Sequence, residues 1–339
     1  MNRNILFATL LALLALTVIA DAQTNKSKNA EAKNKSQSYV IVVCREADAV
    51  EIFDAATLKS LARISVGDAP HEAVSSADGR LAYVANYGSK EAEGNTLSVI
   101  DLVALKEIKR INLGDLKRPH GLQEIGGKIY FTAEASKIVG RYDPKTERID
   151  WTAKTDQMVS HMLAVSSDGK KIYTANMLSS SVTAIDASAS GEPKVTQINI
   201  GKEPEGIALS PDGKTLWIGH RKEGLVTVID TASGKVTQTL TAGQMPIRMA
   251  FSPDGKQVWI ISPNEGALLV FDAATRKETG RVEFDGAPVG IVFSPDGSRV
   301  YSTDLKNNKV VAIDARKLAV INSAPVETLS DGVALAAKR

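Results

Sequence analysis

The residues of this chain best suited to chemistry are its histidines, because an imidazole can ligate a metal or exchange a proton near neutral pH. Three of the four histidines, His71, His120 and His161, hold the same place in an internal repeat, and the next copy has Glu205 there. Three imidazoles and one carboxylate are ligands that zinc takes in proteins, often with one coordination position left open. These four residues are therefore candidate ligands of a divalent transition metal.

Other interpretations of the same histidines stay open. An imidazole at the entrance to a strand can simply bond a backbone carbonyl or a water molecule. The chain contains no local metal motif such as H-E-x-x-H, so a metal would have to be held by residues from separate repeats. For these histidines, a structural role is favoured over metal binding. Contact with a small-molecule or protein ligand, without a metal, is as well supported as the structural role.

The internal repeat predicts the fold. Segments 205–243, 247–286 and 289–326 are clear copies, and fainter copies begin at His71, His120 and His161. Each copy has four short β-rich runs, and Asp-Gly, a strong hairpin signal, joins the first two in most copies. Four strands in about 40–45 residues is typical of one propeller blade. We predict an all-β fold: a single seven-bladed β-propeller of four-stranded antiparallel blades.

One predicted blade is split between the two ends of the chain. The propeller begins at Tyr39 with a second strand, and it ends with an unpaired first strand, residues 331–337. Pairing these two strands completes a blade and leaves no open sheet edges at the ends of the ring. We therefore expect the C-terminal strand to close the ring.

In such a ring the first strand of each blade lines the channel, and the residues that enter these strands surround one mouth. We predict that this mouth carries His71, His120, His161, Glu205, Ile247, Val289 and Asp331. Glu72 and Arg248 occupy the next position along. A second ring on the same face is predicted at the ends of the second strands, at Cys44, Asn86, Ala133 or Glu134, Asn176, His220, Ser262 and Asp304.

Acidic residues that recur in every blade are predicted to be structural. An aspartate ends each third strand, where its carboxylate can accept backbone N–H groups of the following turn: Asp54, Asp101, Asp143, Asp186, Asp230, Asp272 and Asp314. Blade two departs from the repeat, because residues 87–96 carry a Gly-rich and charged insertion. We expect this loop to overhang the mouth beside His71, since loops on a rigid scaffold commonly carry recognition.

Two segments carry a family resemblance. "YVANYGSKEAEGNTLSVID" (83–101) and "YTANMLSSSVTAID" (173–186) resemble the YVTN-type β-propeller repeat of exported proteins. The chain is more distantly similar to seven-bladed lactonases, around "VSHMLAVSSDGKKIYTAN" (160–176). That similarity implies His161 as a general base and Arg248 as an oxyanion donor in lactone hydrolysis. Redox propellers that hold a cofactor over this mouth are a further alternative.

Composition excludes some classes of function. The chain has 41 Lys+Arg against 39 Asp+Glu and is 5% aromatic, so it lacks the basic excess and stacking platforms of nucleic-acid binders. Cys44 is the single cysteine, so no intrachain disulfide and no C-x-x-C-H haem attachment can form. We expect a monomer that binds no nucleic acid.

The first 38 residues are predicted to lie outside the propeller. Arg3 followed by the apolar run 5–20 and by Ala20-Asp21-Ala22 indicates a signal peptide cleaved near Ala22. Residues 23–38 are polar and are predicted to be a disordered linker before the propeller, 39–339. We therefore expect a periplasmic or secreted protein with no transmembrane segment, acting as a binding module through the histidine-lined mouth. A lactonase-like hydrolase or a metal- or cofactor-dependent oxidoreductase at the same mouth is the alternative.

Overall fold

A computed structural model describes residues 37–189, 191–327 and 330–337, which form seven antiparallel sheets of four strands each. The predicted seven-bladed β-propeller is therefore confirmed. The innermost strands of neighbouring blades contact one another from blade one to blade seven and back to blade one, so the ring is closed. In the described residues, helical structure is confined to three short 3-10 turns: Arg45–Ala47, Met177–Ser179 and Pro263–Glu265.

The strands are numbered in chain order, and the innermost strand of each blade, beside the channel, is named first. Blade one contains β28 (Ser330–Ala336), β1 (Tyr39–Cys44), β2 (Ala49–Asp54) and β3 (Ser60–Ser65). Blade two contains β4 (Pro70–Ser75), β5 (Leu81–Gly88), β6 (Glu93–Asp101) and β7 (Lys106–Asn112). Blade three contains β8 (Pro119–Ile125), β9 (Lys128–Ala133), β10 (Ile138–Asp143) and β11 (Arg148–Lys154).

The remaining blades follow the same order from the channel outward. Blade four contains β12 (Ser160–Val165), β13 (Lys171–Asn176), β14 (Ser181–Asp186) and β15 (Lys194–Asn199). Blade five contains β16 (Pro204–Leu209), β17 (Thr215–His220), β18 (Leu225–Asp230) and β19 (Lys235–Thr241). Blade six contains β20 (Met249–Phe251), β21 (Gln257–Ser262), β22 (Ala267–Asp272) and β23 (Glu278–Glu283). Blade seven contains β24 (Pro288–Phe293), β25 (Arg299–Asp304), β26 (Lys309–Asp314) and β27 (Ala319–Pro325).

The C-terminal strand closes blade one as predicted. β28 pairs with β1 in antiparallel register, with Tyr39 opposite Ala336 and Val42 opposite Val333. Its inner side contacts β4 of blade two and β24 of blade seven. The last strand of the chain is therefore one of the seven that surround the channel.

The hydrophobic core lies between the blades. Within β1, Val40 and Val42 pack toward blade seven, whereas Ile41 and Val43 pack toward blade two. This alternation follows from the two-residue period of a strand, and a sheet covered on both faces reads as a continuous apolar run such as YVIVVC. The described residues form one apolar cluster at each of the seven blade interfaces.

The repeated aspartates are structural, as predicted. Asp54 is typical: its Oδ1 accepts the backbone N–H groups of Ala56 and Thr57 at 3.1 and 2.9 Å. Blade three, which lacks the common hairpin sequence, turns at Gly126 and Gly127 instead, with φ of 61° and 80°. Two positive φ values in a two-residue hairpin favour glycine at both positions.

The predicted signal peptide and residues 23–36 of the predicted polar linker lie outside the described residues. Within the described part, no helix is long and apolar enough to cross a membrane.

Candidate functional site

Outside blade six, each candidate residue at the mouth lies in a β-bulge at the start of an innermost strand, whereas Ile247 and Arg248 directly precede β20. In blade two, Pro70 pairs with Asn86 and Ala73 pairs with Val84, so His71 and Glu72 together face one residue of β5. The same two-against-one arrangement holds His120 and Gly121, His161 and Met162, Glu205 and Gly206, Val289 and Gly290, and Asp331 and Gly332. A bulge redirects side chains, and here the first bulge residue is brought to the mouth.

The second bulge position is where neighbouring innermost strands come closest. A Cβ placed on Gly121 would lie 2.9 Å from the carbonyl oxygen of His161, and one on Gly332 would lie 2.6 Å from that of His71. Glycine is therefore the residue that fits most blades at this position. Three blades depart from this pattern: blade four has Met162, and Glu72 of blade two and Arg248 of blade six reach toward each other across the channel.

The mouth is a cavity of about 490 Å³ with one polar side and one apolar side. Blades one to five supply most of the polar side, to which blade six adds Arg248 and Asn264, and the apolar side comes from blades six and seven and the loops that enter them. The apolar wall consists of Met245, Ile247, Pro263, Ala287, Val289 and Leu305. The polar wall includes Arg45, His71, Tyr87, His120, His161, Glu205, Arg221, Arg248 and Asp331.

The side chains at the ends of the second strands do not line this cavity. Asn86 accepts a hydrogen bond from the backbone of Gly67 at 3.1 Å, and Asp304 accepts one from Ala287 at 2.9 Å. His220 bonds Thr227 at 2.7 Å. These residues, like Cys44, Asn176 and Ser262, are buried within their blades. They hold the loop that enters the blade or brace neighbouring strands.

The residue one position further along reaches the mouth instead. Five of these residues line the cavity: Arg45, Tyr87, Arg221, Pro263 and Leu305. Glu134, the alternative to Ala133 in the predicted second ring, belongs to the same set. Successive side chains of a strand point to opposite faces. The residue predicted for the second ring therefore points into its blade, and the next residue along the chain points to the mouth.

The three histidines of blades two, three and four form a continuous row. The ring centroids of His120 and His161 are 3.8 Å apart, and those of His71 and His120 are 4.9 Å apart. Tyr87, from the lengthened hairpin of blade two, stacks on His71 with a centroid distance of 4.5 Å. Of the segment 87–96 that was predicted to overhang the mouth, Tyr87 lines the cavity and lies at the end of the row.

His161 is held between two buried carboxylates. Its Nδ1 donates to Oε1 of Glu134 at 2.5 Å, and its Nε2 lies 3.7 Å from Oε1 of Glu205. The other oxygen of Glu134 accepts the hydroxyl of Tyr87 at 2.6 Å. Burial alone would lower the pKa of His161, but the bonds and charges of Glu134 and Glu205 outweigh it and raise this pKa to about 9. His161 is therefore an imidazolium at neutral pH.

His71 and His120 are neutral, because their environments act in the opposite direction. Burial lowers the pKa of His71 to about 4. Burial, reinforced by the charge on His161, holds the pKa of His120 well below its ordinary value. The Nδ1 of His71 donates to the carbonyl of Ala69 at 3.1 Å. By contrast, the buried Nδ1 of His120 has no hydrogen-bond partner among the described residues.

A buried ion cluster next to the histidine row crosses the channel. Arg248 of blade six donates from Nη2 to Oε1 of Glu72 of blade two at 2.6 Å. Its Nη1 lies 3.3 Å from Oε1 of Glu205, and its Nη2 lies 3.7 Å from Oδ1 of Asp331. Burial raises the pKa of Glu72 even against the opposing charge of Arg248. Arg248 is therefore saturated by protein partners and is not a free donor for an oxyanion.

The set of residues that could hold a metal differs from the one expected from the sequence. His120, Glu134 and His161 each place one ligand atom within 4.8 Å of the others. His71 stands at the far end of the row and Glu205 on the other side of His161. Sequence reasoning underrated Glu134 because the length of the second strand, and so the direction of its last side chains, was uncertain in blade three.

The fold and the site together define the class of protein: a seven-bladed β-propeller with a charged and aromatic cup at one mouth of its channel. The family model described as SMP-30/Gluconolactonase/LRE-like region matches residues 73–264, which is more than half of the chain. The chain belongs to this family. The lactonase relationship suggested by the sequence is thereby supported, whereas the YVTN-type resemblance stays a prediction.

One curated relative matches part of the chain in sequence. The chain is 29% identical over 221 residues to Antigen Lp49 of Leptospira interrogans serogroup Icterohaemorrhagiae serovar copenhageni (strain Fiocruz L1-130). That match covers 58% of this chain and 46% of the antigen, so the chain spans less than half the length of this relative.

Two solved structures are similar over most of the propeller. Kuenenia stuttgartiensis hydrazine synthase superposes with a TM-score of 0.70 at 22% identity, covering 81% of this chain and 91% of that one. A functionally unknown protein from Desulfotomaculum acetoxidans DSM 771 gives a TM-score of 0.76 at 13% identity, covering 89% and 99%. At these identities the likeness concerns the fold alone.

Proposed function

We propose that this protein is an exported, YVTN-type propeller that binds a small anionic ligand with an apolar body in the cup at its channel mouth. The observation that carries the proposal is that accessible arginines and aromatic rings stand opposite an apolar wall in the same cavity. A volume of about 490 Å³ lies within the range of sites for drug-sized ligands. The predicted signal peptide is the reason to place this binding in the periplasm or outside the cell.

The sign of the ligand follows from the charged groups that stay accessible at the cup. Arg248 is neutralised by buried carboxylates, and His161 lies between Glu134 and Glu205. Arg45 is exposed at the rim and makes no ion pair within the described residues, and Arg221 is 41% exposed beside Glu205. Two accessible guanidinium groups therefore face a cup whose opposite wall is apolar, and Arg is well suited to carboxylates.

The test is a binding titration with straight-chain and aromatic carboxylates, comparing the wild type with a double variant, Arg45→Gln and Arg221→Gln. We expect at least a tenfold loss of affinity in the variant and weaker binding at higher salt. Lys214→Gln with Lys256→Gln is the matched control. Both lysines are exposed in Asp-Gly hairpins away from the cup, and the two substitutions remove the same charge as the arginine variant does. Equal affinity in both double variants, or no carboxylate bound by the wild type at millimolar concentration, would refute the proposal.

Lactone hydrolysis is the second candidate. It is favoured by the family and by the placing of neutral His120 beside protonated His161. A general base must be unprotonated, and the raised pKa of His161 leaves that role to His120. His161, as an imidazolium, would instead donate to the developing oxyanion. A rise of acid release from lactones above the buffer rate, lost in His120→Phe, would favour hydrolysis over simple binding. The redox alternative stays a prediction.

A further inference from the structure

We propose that His120, Glu134 and His161 form a binding site for one divalent transition metal, between blades three and four and beside the axis of the channel. One ligand atom from each residue lies within 4.8 Å of the other two. Around a tetrahedral zinc with bonds of about 2.0–2.1 Å, ligand atoms are about 3.3 Å apart. Shifts on the order of 1 Å would therefore bring these three groups to coordination distance.

The first independent observation is the state of His120. This side chain is 2% exposed, and its Nδ1 has no hydrogen-bond partner in the part of the chain that the structure describes. A buried polar atom without a partner costs roughly 1–3 kcal/mol and is uncommon in native proteins. A metal ion would supply the missing interaction.

The second observation is that the other two groups are already oriented from behind. Tyr87 holds Oε2 of Glu134 at 2.6 Å, which leaves Oε1 directed at His161. Glu205 stands 3.7 Å from Nε2 of His161, on the side away from Glu134. Partners of this kind behind each ligand are the usual support of metal sites, where they fix the ring and the carboxylate.

The chemistry of the three groups selects the metal. Two imidazoles and one carboxylate suit zinc, nickel, cobalt or copper, whereas calcium and magnesium take oxygen ligands almost entirely. Three protein ligands are the number found in zinc sites that keep a position open. His120 and His161 both line the cup, so a water molecule or an anionic ligand could fill the fourth position.

Metal binding at this site displaces a proton. The hydrogen that now bridges Nδ1 of His161 and Oε1 of Glu134 must leave as the metal enters, so one metal ion taken up releases one proton. This exchange separates the proposed site from loose association with surface carboxylates, which releases no such proton.

The experiment is a calorimetric titration of the untagged wild-type protein with Zn²⁺ in two buffers of different ionisation enthalpy, repeated with Co²⁺ followed by visible absorption. We expect one equivalent bound, close to one proton released and a tetrahedral cobalt spectrum. Glu134→Gln and His120→Phe should each weaken binding at least tenfold. His71→Phe is the matched control, because it removes a neighbouring imidazole, keeps a ring against Tyr87 and should bind metal as the wild type does.

Three results would overturn the assignment. The first is that the wild type binds none of the ions. The second is that Glu134→Gln and His120→Phe bind zinc as tightly as the wild type. The third is that His71→Phe loses metal binding as well. Circular dichroism of each variant shows whether it is folded, and Glu134→Gln preserves the shape of the side chain in case His120→Phe is not. The metal site stands apart from carboxylate binding, since the carboxylate titration can be run with a chelator present.

Discussion

Replacing Arg248 with methionine should destabilise the ring strongly at neutral pH and much less in mild acid. Arg248 is buried and lies between Glu72, Glu205 and Asp331, so its removal leaves buried carboxylates without their cation. Removing one partner of a buried ion pair typically costs about 3–5 kcal/mol. Glu205 retains His161 and Arg221, so most of this cost should fall on Glu72.

Protonation of Glu72 sets an upper limit on that cost. Neutralising a carboxyl with an ordinary pKa of 4.5 costs about 4 kcal/mol at pH 7.5 and about 1.4 kcal/mol at pH 5.5. Burial already raises the pKa of Glu72, and loss of Arg248 raises it further, so the folded variant binds more protons than the unfolded chain above pH 4.5. Its stability must therefore increase as the pH falls. We expect a loss of about 3–4 kcal/mol at pH 7.5 and about 1–1.5 kcal/mol at pH 5.5.

The assay is urea-induced unfolding of Arg248→Met and of a matched control, Arg221→Met, at both pH values. Arg221 also faces Glu205, at 3.5 Å, but its side chain is 41% exposed, so its loss should cost less than about 1 kcal/mol. A loss for Arg248→Met that is the same at pH 7.5 and 5.5, or no larger than that of the control, would refute this account of the cluster.

Three further predictions concern the ring, the imidazolium and the N-terminus. Deleting residues 331–339 removes most of the innermost strand of blade one, so we expect aggregation or a much lower melting temperature by scanning calorimetry and gel filtration; melting like the full chain would contradict ring closure. His161, with a folded pKa raised to about 9, stabilises the protein fully below about pH 6.5, and this contribution is lost as the pH rises toward 9. His161→Gln should therefore be most destabilising at pH 6 and least above pH 9 in urea unfolding. If NMR gave this imidazole a pKa near 6.5, Glu134 and Glu205 would not stabilise its charged form as described. Mass spectrometry of the exported protein should find a chain beginning at Gln23, and an intact Met1 there would disprove cleavage.

The fold was predictable because the sequence repeats it. Seven copies of one hydrophobic pattern, with Asp-Gly between the first two strands of most copies, identify the blade without any long-range information. The split blade followed from counting strands at Tyr39 and at residues 331–337. Residues present in every copy, such as Asp54 and its equivalents, could be recognised as structural by the same comparison.

The site was predictable in position but not in detail, because its detail depends on backbone irregularities. The bulge that brings His71, His120 and Glu205 to the mouth leaves no clear signal in the sequence. The second ring depends on which of two consecutive residues ends a strand, and one residue changes the direction of the side chain. Asn86 and Tyr87 illustrate this: the first lies inside the blade, and the second stacks on His71.

The ion cluster explains why the mouth forms a cup and not simply the end of an open channel. Glycine holds the position after the mouth residue in four blades, where the strands are close, and blade four has Met162 there, whereas blade two has Glu72 and blade six has Arg248. Among the described residues, Glu72 forms its ion pair with Arg248, and the two side chains meet at 2.6 Å across the channel. Without Arg248, Glu72 would be a buried carboxylate that has lost this cation. The cavity above this pair and a cavity toward the opposite mouth, lined by Leu163, Leu209 and Met249 among others, share no wall residue. Under the proposed function, this buried pair closes the cup on the channel side, so that a ligand bound among the histidines would meet Arg248 and its carboxylates and not an open channel.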